Sequence, residues 1–426
     1  MTGAVVTGLG VASPNGVGTE EYWRATLEGR SGIRPIRLFD AAPYPVRLAG
    51  EVDFDAEAYI PGKFRAQTDQ MTQLAMAATV MAFADAGLDP AGMPAFEMGV
   101  TVANSSGGIM FGQRELQQLW SQGPTYVSAY MSVAWFYAST AGQLSIRHGM
   151  KGPALVLASE QAGGLDAVGH ARRQIRCGTP LMVTGGSDAS LAPVGLAFQI
   201  ATGMLSTRRD PSRAYLPFDR DANGYLPGNG GAILVLEDAD AAEARGVPGV
   251  YGEIAGYAAT FDPPLDDGEP GPDTAAYDPP RGSGRSPRLR RAAELALADA
   301  GVAPGDIDVV FADAWGLPAL DWEEARAITE LFGPRGVPVT APKTMTGRLY
   351  AGAALDLVTA LLSIRDGVIP PTLNVTEPAP GTDLDLVLRE PRRRTVRHAL
   401  VLARGLGGFN SAIVVSAPTT HARSST

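Results

Sequence analysis

Eight short apolar segments rich in β-branched residues recur from one end of this 426-residue chain to the other: Ala4–Val6, Met98–Val102, Ala154–Leu157, Leu181–Val183, Ala232–Leu236, Val309–Ala312, Ala399–Leu402 and Ile413–Val415. They run nearly continuously apolar, without polar alternation, which is the pattern of strands covered on both faces. Between many of them lie segments of helical period. In 161–176, Leu165, Val168 and Ile175 form an apolar stripe, with Arg172 on the same spacing. Strands alternating with helices predict an α/β architecture with well-buried sheets.

The stretch Asp262–Pro287, DPPLDDGEPGPDTAAYDPPRGSGRSP, breaks this rhythm. Its prolines and glycines exclude a helix or a central strand, so an exposed loop is expected. A helix resumes at Leu289–Gly301, ends in ADAG, and leads to the strand DVVFAD. An earlier helix, Met71–Gly87, also ends in ADAG and leads to MGVTVAN. The shared grammar predicts two similar halves, 1–250 and 251–417, followed by a flexible tail at 418–426.

Composition narrows the function. The net charge is -10 and no basic stripe interleaves with aromatics, which argues against nucleic-acid binding. The cluster Arg392, Arg393 and Arg394 reads as a solvated face. A single cysteine, Cys177, excludes an intramolecular disulfide or a thiolate metal cluster and reads as a small packing residue. His148, His170, His398 and His421 lack metal-ligand spacing and read as structural, so no metal is expected. The start, MTGAVVTGLG, has neither a basic n-region nor an apolar h-region, and no run approaches the roughly 18 apolar residues that span a bilayer. A cytoplasmic location, away from the membrane, is expected.

In Gly152–Ile175, GPALVLASEQAGGLDAVGHARRQI, a strand ends at Ala158, a tight turn follows, and a helix opens around Gln161–Gly164. Such an elbow presents one side chain at a helix N-terminus, where unpaired N–H groups favour an anion. It is a seat for a thiolate or alkoxide nucleophile. The seat holds Gln161, whose amide exchanges hydrogen bonds and does not attack a carbonyl.

That elbow, together with Ala214–Asp238 (AYLPFDRDANGYLPGNGGAILVLED), Pro342–Asp356 (PKTMTGRLYAGAALD) and the ending GLGGFNSAIVV, resembles the β-ketoacyl synthase family. SEQAGGLDAVGHARR is similar, more narrowly, to the chain-length factors, or ketosynthase β subunits, of bacterial type II polyketide synthases. The resemblance implies a thiolase-like αβαβα sandwich of two pseudo-repeated halves, each built on a five-stranded sheet. Active members carry a Cys–His–His triad. By the matching motifs the cysteine becomes Gln161, the first histidine Trp315 in DAWGL, and the second Arg348 in KTMTGR. Neither replacement exchanges protons near neutrality, so no catalytic residue is expected. Lys343 matches the family lysine but lacks its imidazole partner, and Asn229 stands where active members have Glu.

The resemblance therefore implies a subunit that does not condense by itself. It would pair as a heterodimer with a cysteine-bearing ketosynthase and take acyl chains from the phosphopantetheine of an acyl carrier protein, with no cofactor of its own. The expected interface includes the sheet edge before the elbow and the segment 123–147, where Trp135, Phe136 and Tyr137 stand together. An ordinary core position is the alternative for these aromatics. Ile109, Gly112 and Leu116, spaced on one helical face, with Val194, correspond to the positions that close the product tunnel. Shorter-chain members of that family tend to place bulky aromatic residues there; none of the four is aromatic here, so missing bulk shifts the expected length upward, and the resemblance implies a product of about ten ketide units or more. An alternative function is decarboxylation of a malonyl carrier protein to supply acetyl starters through Gln161. Condensation through Ser159 or Cys177 is disfavoured, because the elbow aims Gln161 at the site.

Overall fold

Every predicted apolar run becomes a strand, most of them longer than the run itself. The computed structural model describes residues 3–262 and 287–418; the predicted loop between them and the tail from 419 lie outside the described residues. The strands are β1 (Ala4–Ser13), β2 (Met98–Ala103), β3 (Ala154–Leu157), β4 (Leu181–Asp188), β5 (Gly230–Asp238), β6 (Gly252–Phe261), β7 (Val309–Phe311), β8 (Pro338–Thr340), β9 (Asp385–Leu386), β10 (His398–Gly405) and β11 (Phe409–Ser416). With the short strand Gly16–Val17 hairpinned onto β1, they form one twelve-stranded sheet in the order β9-β8-β7-β10-β11-β6-β1-β5-β4-β2-β3. The two expected five-stranded sheets are thus continuous. They meet where β1 pairs antiparallel with β6, Val5 opposite Glu253 and Val6 opposite Gly252, and the C-terminal sheet gains the two-residue β9.

The principal helices are α1 (Gln70–Asp85), α2 (Ile109–Gln122), α3 (Met131–Ala134), α4 (Ser139–His148), α5 (Gly163–Arg176), α6 (Pro193–Ala201), α7 (Pro287–Ala300), α8 (Pro318–Phe332) and α9 (Ala353–Asp366). Helices α5 and α9 pack on each other and touch strands of both halves: α5 lies on β2, β4, β6 and β11, and α9 on β4, β5, β10 and β11. They are the central layer. Helix α9 is buried all round from Ala353 to Ser363, as a helix between two sheets must be. Leu165, Val168 and Ile175 of α5 enter the same core, each contributing roughly 1.5–3 kcal/mol of burial. Helices α1 and α4 cover the outer face of the N-terminal half, and α7, backed by α8, covers the C-terminal half. The result is the αβαβα sandwich. No helix among the described residues is long and apolar enough to cross a membrane.

The internal repeat has an atomic basis. In β1 the pairing register shifts between Val6 and Gly8, and Leu9 N–H donates to Asp85 of α1 at 2.8 Å. In β6 it shifts between Ile254 and Gly256, and Tyr257 N–H donates to Asp299 of α7 at 3.0 Å. Each aspartate belongs to an ADAG terminus and satisfies an amide freed by a bulge. Gly8 and Gly256 let those helices lie close, since a Cβ at either would stand 2.3 Å from Ala82 O or 2.1 Å from Ala296 O. Strand β6 escaped the sequence reading because GEIAGYAATF is poor in β-branched residues and alternates in burial. Strand β3 is the sheet edge expected before the elbow, although its apolar run alone reads as a strand covered on both faces. Its neighbour among the described residues is β2, and Leu155 is 38% exposed.

Candidate functional site: a filled elbow and an open apolar groove

The elbow forms as the sequence predicts. Strand β3 ends at Leu157, a single 3-10 turn spans Glu160–Ala162, and α5 opens at Gly163. Glu160 takes φ 51°, a left-handed conformation that costs a non-glycine residue about 1–2 kcal/mol. Three contacts hold it there. Its carbonyl accepts from Ala351 N–H at 3.0 Å, and its carboxylate accepts from Leu406 N–H and from Arg348 Nη2, both at 3.2 Å. Ser159 Oγ donates to Asp166 at 2.5 Å, so this hydroxyl is engaged beside the elbow and not presented at its tip.

Gln161 is 1% exposed and its Nε2 donates to Asp313 Oδ1 at 3.1 Å. The same oxygen accepts from Arg348 Nη1 at 2.9 Å, while Asp313 Oδ2 accepts from Arg404 Nε at 3.0 Å. Arg404 Nη2 continues to Glu324 at 3.1 Å, and Glu324 accepts the backbone N–H groups of Asp313 and Ala314 at 2.7 and 2.8 Å. The Arg348 guanidinium also lies 3.6 Å from the centroid of the Trp315 ring, a cation–π stack, and Trp315 meets Tyr225 edge to face at 5.5 Å. The three positions matched to the triad by motif, Gln161, Trp315 and Arg348, are therefore one structural unit centred on Asp313. Ala314 bears a φ of 54° within it, fixed by Glu324 and by Tyr215, whose hydroxyl donates to Ala314 O at 2.6 Å.

Electrostatics explain how this buried unit holds together. Burial alone would push the Asp313 carboxyl up, but the charges of Arg348, Arg404 and Lys343 outweigh it and bring it from 3.8 to about 2. Burial raises the Glu160 and Glu324 carboxyls, and the arginines beside them only partly counter it. The sign for Asp313 follows directly: its depressed folded value gives stability that is fully present above pH 3.8 and is lost as pH falls toward 2. Linkage puts this at about 2 kcal/mol. Urea midpoints measured along the acid limb should therefore fall more steeply with acidification for the unaltered chain than for Asp313→Asn. Parallel limbs would mean that Asp313 carries no such shift.

A second feature lies apart from the elbow. Ile109, Gly112 and Leu116 of α2 and Val194 of α6 line one groove of about 610 Å³, and Gln161, Trp315 and Arg348 do not line it. The four tunnel positions expected from the sequence thus come together in space. The expected aromatic-free floor does not appear, because Trp120, Trp135 and Phe198 line the same groove from other positions. The walls are tied together: Gln113 Oε1 accepts from Val194 N–H at 3.0 Å, and Asp69 accepts from Phe111 N–H at 2.8 Å at the start of α2.

Residues 2–242 match the β-ketoacyl synthase N-terminal domain and residues 251–376 its C-terminal domain. The chain belongs to the β-ketoacyl synthase family. It is 58% identical over 414 residues to the tetracenomycin polyketide synthase ketoacyl synthase beta subunit of Streptomyces glaucescens, covering 96% of this chain and 97% of that one. It is 55% identical to the actinorhodin polyketide putative beta-ketoacyl synthase 2 of Streptomyces coelicolor, covering 97% and 99%. Among solved structures, the ishigamide ketosynthase/chain length factor superposes with a TM-score of 0.87 at 28% identity, covering 98% of this chain and 99% of that one. A type II polyketide synthase acyl-carrier protein in complex with its ketosynthase bound to the hexaketide gives 0.85 at 27%, covering 98% and 100%. Within the family this is a ketosynthase β subunit.

The other β-ketoacyl synthase motif positions are reused structurally. Lys343, without an imidazole to serve, pairs with Asp356 at 2.9 Å in the central layer. Asn229 is fully buried and satisfied, accepting from Leu191 N–H at 3.0 Å and donating to Gln70 at 3.3 Å. His398 shares a 2.8 Å hydrogen bond with Ser416, His170 contacts Thr101 at 3.2 Å, His148 packs edge-on against Phe83, and His421 lies outside the described residues. Cys177 corrects the packing expectation. It follows α5 beyond its last buried residue, Ile175, and is exposed.

Proposed function

We propose that this chain is the non-condensing half of a type II polyketide ketosynthase heterodimer, and that its apolar groove closes the product tunnel and sets chain length. One observation carries the reading: the catalytic elbow is filled by the Gln161–Asp313–Arg348 unit, while an open apolar groove stands elsewhere. At about 610 Å³ the groove falls within the usual range of small-molecule sites, and the rings of Trp120, Trp135 and Phe198 in its walls remove the missing-bulk argument for a product of about ten ketide units or more. Its lining of Ile109, Gly112, Leu116 and Val194 takes the starter end of the growing acyl chain, which reaches it from the phosphopantetheine of an acyl carrier protein bound by the complex in the cytoplasm.

The partner is a cysteine-bearing ketosynthase. The edge strand β3 leaves Leu155 open, and Trp135, Phe136 and Tyr137 are 55, 44 and 41% exposed, so the core alternative for these aromatics fails. Exposed aromatics of this density mark a surface that another protein covers. Co-expressed subunits should elute as one species in size-exclusion chromatography; two separately eluting proteins would overturn the heterodimer.

Decarboxylation through Gln161 needs its amide turned to a thioester oxygen, and the amide is instead committed to Asp313. Gln161→Ala in the reconstituted heterodimer, given a preformed acyl starter, should therefore retain condensation. Complete loss of condensation in an intact complex would count against the non-condensing role.

A further inference from the structure

The sequence points to Gly112 as an empty position in the groove, but the structure fills it from a distant segment. A Cβ added at Gly112 would stand 2.7 Å from Cδ1 of Trp135. The indole is seated where a side chain at 112 would go. This placement is built, because the backbone carrying Trp135 docks on two further glycines of the same stretch. Gly108 N–H donates to Trp135 O at 3.0 Å, a Cβ at Gly108 would meet Ala134 O at 1.9 Å, and one at Gly107 would meet Trp135 O at 2.8 Å. Trp135 N–H in turn bonds Met131 O at 3.2 Å, closing α3. No larger residue at 107 or 108 is compatible with that backbone approach, and one at 112 must displace the indole.

We propose that Trp135, seated on the track Gly107, Gly108 and Gly112, is a specificity-determining wall of the groove, and that Gly112 governs product length through the position of this indole. The proposal rests on the reading of the groove as the tunnel end. It assigns a length-determining role to a residue 23 positions away from Gly112, on a different element (135 − 112 = 23). It also inverts the meaning of the small residue at 112. Glycine there does not leave a void, since it admits a large aromatic that an alanine would already push. Trp135 is 55% exposed in the single chain, so the part of its ring that does not face Gly112 belongs to the surface the partner covers.

The test is a double-mutant cycle in the reconstituted heterodimer with its ketosynthase and carrier protein, reading product length by mass spectrometry. Trp135→Leu and Trp135→Ala should each shift the product spectrum toward longer chains, by at least one extension. Gly112→Ala should change the spectrum when Trp135 is present and be silent in the Trp135→Leu background. Leu116→Trp serves as the control for the groove itself. Unchanged lengths for the Trp135 variants, with Leu116→Trp shortening the product, would remove Trp135 as a wall and leave the groove reading intact. Unchanged lengths for all of them would overturn both. Where a Trp135 variant fails to co-elute with the ketosynthase, Gly112→Ala alone decides: a wild-type spectrum from that folded variant overturns the coupling to Trp135.

Discussion

Asp313→Ala should lower the unfolding free energy of this chain by about 3–5 kcal/mol, the cost of leaving buried cations without their counter-charge. The carboxylate is fully buried and receives Gln161, Arg348 and Arg404 at 3.1, 2.9 and 3.0 Å. Without it Arg404 keeps Glu324, and Arg348 keeps Glu160, the carbonyls it touches and the rings of Trp315 and Tyr225. Arginine cannot shed its proton to escape, as a lysine would. The loss also reaches the elbow, because Arg348 is one of the three contacts that hold Glu160 left-handed. Asp313→Asn should cost less, since an amide oxygen can still accept from one guanidinium. Removing the cation as well, in Asp313→Ala with Arg348→Met, should recover part of the loss, because a buried ion pair often breaks even against an apolar replacement of similar volume. Urea unfolding of the four proteins reads these differences directly. If Asp313→Ala unfolds within about 1 kcal/mol of the unaltered chain, the network is an ornament of the fold and not its support.

How far the sequence carried the reading depended on the range of the interaction. Apolar runs and the α5 stripe are local, so Leu165, Val168 and Ile175 were found in the core they predict. The ADAG termini were visible as a repeat, but their work, satisfying Leu9 and Tyr257 N–H at paired bulges, required the partner strands to be in view. The network around Asp313 joins residues at 160, 161, 313, 324, 348 and 404, and no periodicity links them. Motif matching found Gln161, Trp315 and Arg348 and read them as losses. It passed over Asp313, two residues before Trp315 in the same motif, and Glu324, a carboxylate on the buried face of α8. Two buried acids one turn apart on that face, Asp321 and Glu324, are the signal that donors stand opposite: backbone N–H groups of Phe218 and Gly316 for the first, and Arg404 with two backbone N–H groups for the second. The groove shows the same limit: its α2 positions follow from helical spacing, whereas Trp120, Trp135 and Phe198 enter through tertiary structure alone.

Leu116→Trp and Val194→Phe should each move the product spectrum of the reconstituted heterodimer toward shorter chains, and together further than either alone. Filling works only if the walls stay put. Helix α2 is pinned at its start by Asp69 on Phe111 N–H, and α6 is tied to α2 by Gln113 on Val194 N–H, so added bulk enters the groove and does not spread the helices. The sites differ in how cleanly they test this. Leu116 is 47% exposed at the groove, and a larger ring there meets little fixed structure. Val194 is half-buried in the first turn of α6, where a phenyl ring costs about 1–3 kcal/mol of overpacking. Gly112→Phe is the least clean, since its ring would strike Trp135 before it reached the cavity. The decisive comparison is therefore Leu116→Trp, with co-elution and unfolding checked first and product mass second. A shorter product from a stable complex places the end of the acyl chain against α2. Unchanged lengths from well-folded variants at Ile109, Gly112, Leu116 and Val194 alike would show that the chain ends against other residues, because an acyl chain cannot occupy volume that a tryptophan already fills.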